Sequence, residues 1–112
     1  MSVSAACENC VFVGSSDGVW KSDNIADTFT LQGNPNLANY GAFAVSDTDE
    51  NYMLFGDIDT HMSNDGGQTW NQVTYWATGN ANYDTTGQYV HADSRGSRSY
   101  NGVCWVNTDG LL

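Results

Sequence analysis

Apolar residues in this chain come in short runs of three to five, separated by clusters of Gly, Asn, Asp and Ser, and no stretch sustains the spacing of an amphipathic helix. Val11-Phe12-Val13-Gly14 and the stretch to Ser22, folded about Ser15-Ser16-Asp17-Gly18, predict a hairpin of strands 11–14 and 17–22 with Trp20 facing a sheet interface. Thr28 to Gln32 predicts an outer strand, which Gly33-Asn34-Pro35-Asn36 breaks. Gly41-Ala42-Phe43-Ala44-Val45 is small and apolar, as an inner strand requires, and Asp47-Thr48-Asp49-Glu50-Asn51 is the turn that follows. Residues 52–56, 59–63 and 69–76 predict three more strands, 77–100 an irregular connection, and Val103-Cys104-Trp105-Val106 a further strand. The fold class read from this pattern is all-β, with antiparallel sheets.

The densest turn chemistry lies at Ser63-Asn64-Asp65-Gly66-Gly67-Gln68-Thr69-Trp70. Ser63 and Asp65 supply short oxygen acceptors for backbone N–H groups inside the turn. Gly66 and Gly67 supply positive φ, and Thr69 and Trp70 open the next strand with a β-branched residue and a large aromatic. Forty-one positions upstream, Ser22, Asn24, Ala26, Thr28 and Phe29 stand in softened form for Ser63, Asp65, Gly67, Thr69 and Trp70. Ala26, in a place that suits glycine, puts the turn geometry of this earlier copy in question. Val11-Phe12-Val13-Gly14 corresponds to Met53-Leu54-Phe55-Gly56, and Val103-Cys104-Trp105-Val106 begins the pattern a third time. Self-similarity at a fixed period marks repeat architectures.

Ser63, Asp65, Gly67, Thr69 and Trp70 resemble the Asp-box, S-x-D-x-G-x-T-W, of the sialidase-type (BNR) repeat. The resemblance implies four-stranded antiparallel propeller-like blades, with the box closing the hairpin between a blade's third and fourth strands and its tryptophan beside the neighbouring blade. It implies blade one at about 11–33, blade two at about 41–76, a connection at 77–100 and the start of a third blade at 101–112, after an N-terminal segment at 1–10. A propeller needs at least four blades of about 40 to 45 residues, on the order of 160 residues. With 112 residues, the expectation is an incomplete propeller completed by oligomerisation or by a longer partner.

Composition narrows the function classes. Three Lys and Arg against thirteen Asp and Glu, a formal charge of −10, argue against nucleic acid, whose backbone is held by Lys and Arg. No stretch is apolar enough to insert in a membrane as a helix, and Met1-Ser2-Val3-Ser4-Ala5-Ala6 lacks the basic start and apolar run of a signal peptide. An extracellular, virion or surface assembly is the expected setting.

Candidate chemistry is sparse. The sialidase resemblance implies an arginine triad, a tyrosine–glutamate nucleophile pair and an acid aspartate, but the chain has only Arg95 and Arg98, and only Glu8 and Glu50. No catalytic residue, metal or cofactor is expected. Asp47, Asp49, Asp57 and Asp59 lack EF-hand spacing and read as turn carboxylates rather than a calcium site. Cys7 and Cys10 form a lone C-x-x-C, either a small local disulfide or two free thiols, with too few ligands for zinc by sequence. The expected function is a non-catalytic structural or adhesive repeat whose partner is itself, as homo-oligomer or filament. The alternatives are a fragment of a sialidase-like glycoside hydrolase and a glycan-binding module using Tyr75, Trp76, Tyr83, Tyr89, Arg95, Arg98 and Tyr100.

Overall fold

A computed structural model describes residues 2–36, 41–75 and 93–108, and every regular element in them is a β-strand. The strands are β1 (Ser2–Ser4), β2 (Cys7–Ser15), β3 (Gly18–Ser22), β4 (Thr30–Gly33), β5 (Ala42–Val45), β6 (Met53–Gly56), β7 (Thr60–Ser63), β8 (Asn71–Gln72), β9 (Ser94–Tyr100) and β10 (Val103–Thr108). Two four-stranded sheets follow chain order, β1-β2-β3-β4 and β5-β6-β7-β8, and β9 with β10 makes a two-stranded hairpin. All pairings are antiparallel.

Local chemistry explains the hairpins. Ser15 pairs with Gly18 across a two-residue turn, and the Asp17 N–H donates to Ser15 Oγ. In the turn after β5, Ser46 Oγ accepts the N–H groups of Thr48 and Asp49, and Asp49 Oδ1 accepts that of Asn51 at 2.9 Å.

The core forms where the first two sheets meet face to face. Cys10, Phe12 and Val19 from sheet one pack with Val45, Met53 and Phe55 from sheet two, and Cys7, Phe43 and Trp70 close over them. Phe55 meets Phe43 at 5.3 Å between ring centres and Trp70 edge-on at 6.0 Å. Each such side chain stabilises by about 1.5–3 kcal/mol when fully buried, and paired rings add about 0.5–1.5 kcal/mol. The approach is close enough that a Cβ on Gly33, at the end of β4, would fall 2.0 Å from the Gly67 carbonyl oxygen.

Sheet two meets the hairpin through small and polar groups instead. The Ser94 N–H donates to Asp57 O, the Asp93 N–H to Ile58 O, and Ser94 Oγ lies 3.4 Å from Thr60 Oγ1. β5 therefore has β1 on one side and β9 on the other.

Five expectations change. Trp20, expected at a sheet interface, lies on the face of β3 opposite to Val19, the residue that packs against sheet two. Residues 1–10 are not a separate segment: β1 pairs with β2 at Ser2–Phe12 and Val3–Val11, and β2 starts at Cys7. β9 lies inside the expected connection 77–100, because its sequence Ser-Arg-Gly-Ser-Arg-Ser-Tyr has no apolar alternation and is ordered by partners instead. Within the described part of the expected strand 69–76, the strand is Asn71–Gln72 and its start is delayed, since Thr69 donates its N–H to Asp65 within the turn. Finally, the strand expected at 103–106 runs on to Thr108 as β10. Ser99 bonds to Asp47 of sheet two, so its cross-strand partner Cys104 faces that sheet and Trp105 faces away.

Candidate functional site

The Ser63–Trp70 turn is a closed set of hydrogen bonds. Ser63 Oγ accepts the Gly67 N–H at 2.9 Å and donates to Asp65 Oδ1 at 2.8 Å. Asp65 Oδ1 also accepts the N–H groups of Gln68 at 3.1 Å and Thr69 at 2.9 Å, while Oδ2 accepts the Thr69 hydroxyl. The Thr69 hydroxyl and N–H, then Ser63, hold the Asp65 carboxyl down to about 2 from its ordinary 3.8. Trp70 is fixed by its indole N–H, which donates to Gly67 O at 2.8 Å, and its ring meets that of Phe55 at an interplanar angle of 74°. Gly66 and Gly67 sit at φ of 76° and 91°, where a side chain is strained.

The Ser22–Phe29 turn has the same wiring in neutral form. Ser22 Oγ accepts the Ala26 N–H at 2.9 Å, and Asn24 Oδ1 accepts that of Thr28 at 2.9 Å. Where the Thr69 hydroxyl donates to a carboxylate, the Asn24 amide donates to Thr28 Oγ1 at 2.8 Å. Ala26 does not disturb the turn. Instead Ile25 and Ala26 adopt φ of 58° and 65°, a conformation that is unfavourable for a β-branched residue in particular. Phe29 is exposed on this turn, unlike the half-buried Trp70.

A second carboxylate that gathers several hydrogen bonds is Asp47. It accepts the N–H of Gly102 at 2.9 Å, that of Asn101 at 2.8 Å, and the Ser99 hydroxyl at 3.1 Å, so it caps the β9–β10 turn from sheet two. The Gly102 N–H, aided by Asn101 and Ser99, keeps this carboxyl below its ordinary value. Among the described residues, Asp47, Asp49, Asp57 and Asp59 are not gathered into a set of metal ligands; the set that is gathered consists of Cys7, Cys10 and Glu50.

The expected ligand contacts divide. Arg98 and Tyr100 share one exposed face of the hairpin with their cross-strand partners Trp105 and Val103. Tyr100 is 67% exposed and Trp105 65%. Arg95 falls at the bulge of β9, between Ser94 and Gly96. Tyr75 stands apart at the end of sheet two, half-buried, with its hydroxyl donating to Gln72 O at 3.2 Å. Trp76, Tyr83 and Tyr89 lie outside the described residues. Trp105 was not among the expected contacts; its alternation with Val103 was the available clue to a shared face. Glu50 was missed as a neighbour of the cysteines because forty positions separate it from Cys10.

No helix among the described residues is long and apolar enough to cross a membrane. No protein-family model matches the sequence, and no curated protein and no solved structure matches it.

Proposed function

We propose that the chain is a non-catalytic structural module of propeller-like blades that associates with further copies of itself. The observation that carries this reading is the exposed face of the β9–β10 hairpin, where Tyr100, Val103 and Trp105 stand together beside the edge of β10 that pairs with no strand among the described residues. Exposed apolar groups next to a strand edge favour association. A complementary surface lies at the far side of the stack, where Trp20 is half-buried and its cross-strand partner Leu31 is exposed on sheet one. Contact between these unlike faces is head-to-tail, giving a ring if the rotation closes and a filament if it does not.

The Asp-box resemblance supports the same reading, since both box turns carry one hydrogen-bond pattern in successive sheets. The acidic composition and the Cys7–Cys10 disulfide fit an extracellular, fibre or virion setting. A second reading, glycan binding, draws on the same exposed Tyr100 and Trp105 with Arg98, because sugar rings stack on aromatic faces.

Light scattering of the purified chain at micromolar concentration tests the proposal. A multimer that dissociates when Trp105 is replaced by Asp is the expected result, and a folded monomer with a cooperative melt overturns it. A glycan array run on the same samples distinguishes the second reading.

A further inference from the structure

Cys7 and Cys10, at the start of β2, are joined as a disulfide with Cα atoms 5.3 Å apart. Glu50, in the turn after β5, comes from the other sheet and sets Oε2 3.9 Å from Cys10 Sγ. Its second oxygen is 3.4 Å from Lys21 Nζ. One ligand atom from each of Cys7, Cys10 and Glu50 falls within 4.8 Å of the others. Cys10 is buried and the other two are half-buried, and both cysteines line an open hollow of about 700 Å³ shared with Ser4, Asn9 and Ile25. A disulfide sulfur has no proton to donate, so in the oxidised chain Glu50 stands beside a sulfur that makes no hydrogen bond to it.

We propose that reduction of Cys7–Cys10 turns this trio into a binding site for one thiophilic divalent cation of the zinc type, with Cys7, Cys10 and Glu50 as its protein ligands. With a phosphine as reductant, the S–S bond breaks, phosphorus supplies two electrons and becomes the phosphine oxide, and one water supplies the oxygen and the two thiol protons. Metal binding then releases those two protons to solvent, because thiolate is the ligating form.

Geometry and charge both fit. Zinc–sulfur bonds of about 2.3 Å and zinc–oxygen bonds of about 2.0–2.2 Å in a tetrahedron place a sulfur and an oxygen about 3.5 Å apart. The 3.9 Å from Cys10 Sγ to Glu50 Oε2 is within a few tenths of that. The sulfurs, freed of their bond, separate to about 3.8 Å, the sulfur–sulfur edge of the same tetrahedron, and Cys7, whose ligand atom lies within 4.8 Å of that of Glu50, closes on it by up to about 1 Å. Two thiolates and a carboxylate bring three negative charges, which the dication and the Lys21 ammonium together cancel. Without the ion, those charges would repel in a half-buried site. Water takes the fourth position, as in three-ligand zinc sites. The ligands come from both sheets, so the ion would tie the sheets together only under reducing conditions.

Titration of the whole chain with cobalt(II) and zinc(II), in a Cys104→Ser background and after phosphine treatment, tests the proposal. The reduced protein should bind one equivalent, with the intense visible bands of tetrahedral cobalt and a near-ultraviolet thiolate charge-transfer band. The disulfide form should show neither. Glu50→Gln should weaken binding at least about tenfold, the scale on which groups that support a metal act. If the reduced chain melts without metal, zinc should restore a cooperative transition. Absence of saturable binding, equal binding by the disulfide form, unchanged affinity in Glu50→Gln, or failure of zinc to restore such a melt would each overturn it.

Discussion

The carboxylate of Asp47 accepts the backbone N–H of Gly102 at 2.9 Å, across fifty-five positions of sequence. Through this contact and its bonds to Asn101 and Ser99, one side chain in the turn after β5 holds the turn of the last hairpin. Asp47→Ala should therefore loosen that hairpin selectively. Hydrogen exchange should speed up at the Asn101 and Gly102 amides, while the β2–β3 amides keep their protection. Asp47→Asn, which keeps one acceptor oxygen, should have a smaller effect. Uniform exchange rates in all three proteins would rule out the anchoring role.

Asp65→Ala should lower the melting temperature more than Asp23→Ala. Asp65 is the acceptor for Gln68, Thr69 and Ser63, whereas Asp23 is exposed at the second position of the earlier turn. Paired thermal melts at neutral pH give the comparison, and equal shifts would contradict the role assigned to Asp65.

Acid should act on the same group. The folded-state value of Asp65, about 2, lies below its ordinary 3.8, so its contribution is fully present above pH 4 and is lost as pH falls toward 2. Asp47, also lowered, acts in the same direction. Melting temperature should fall across that window in the wild type and fall less steeply in Asp65→Asn, which has no proton to gain there. Parallel curves would argue that other carboxylates control acid stability.

Ile25 occupies φ of 58° while 74% exposed, so its side chain loses little packing if replaced. Left-handed backbone costs a residue with a Cβ roughly 1–2 kcal/mol, and Asn tolerates it better than a β-branched residue. Ile25→Asn should stabilise by about 0.5–1 kcal/mol in denaturant unfolding, within that strain. A loss of stability would mean that Ile25 packs productively against the Cys7–Cys10 hollow.

If copies of the chain associate through the Trp105 face as proposed, Trp105→Asp should reduce the mass in solution while the chain stays folded, because the exposed ring is not part of the core. Val19→Asp is the contrasting substitution: Val19 is wholly buried, and an unpaired charge there should abolish the cooperative melt.

Features written in consecutive residues were legible in the sequence. The all-β pattern, the hydrogen-bonded turns at Ser22–Phe29 and Ser63–Trp70 and the strand at Ala42–Val45 rest on alternation, turn oxygens and small side chains, which act over a few positions. Even the doubtful Ala26 obeyed that local logic, because Ser22 and Asn24 hold the turn despite its cost in backbone strain. Tertiary structure alone decided what depends on distant partners. β9 has a polar sequence and becomes a strand through Asp47, Asp57 and Ile58. Trp105 points outward because Ser99 is fixed from another sheet, and Glu50 reaches the cysteines only when the two sheets pack. Turn and strand preferences are short-range energies carried by neighbouring residues. The pairing of faces is a long-range choice, set by which side chains exclude water together.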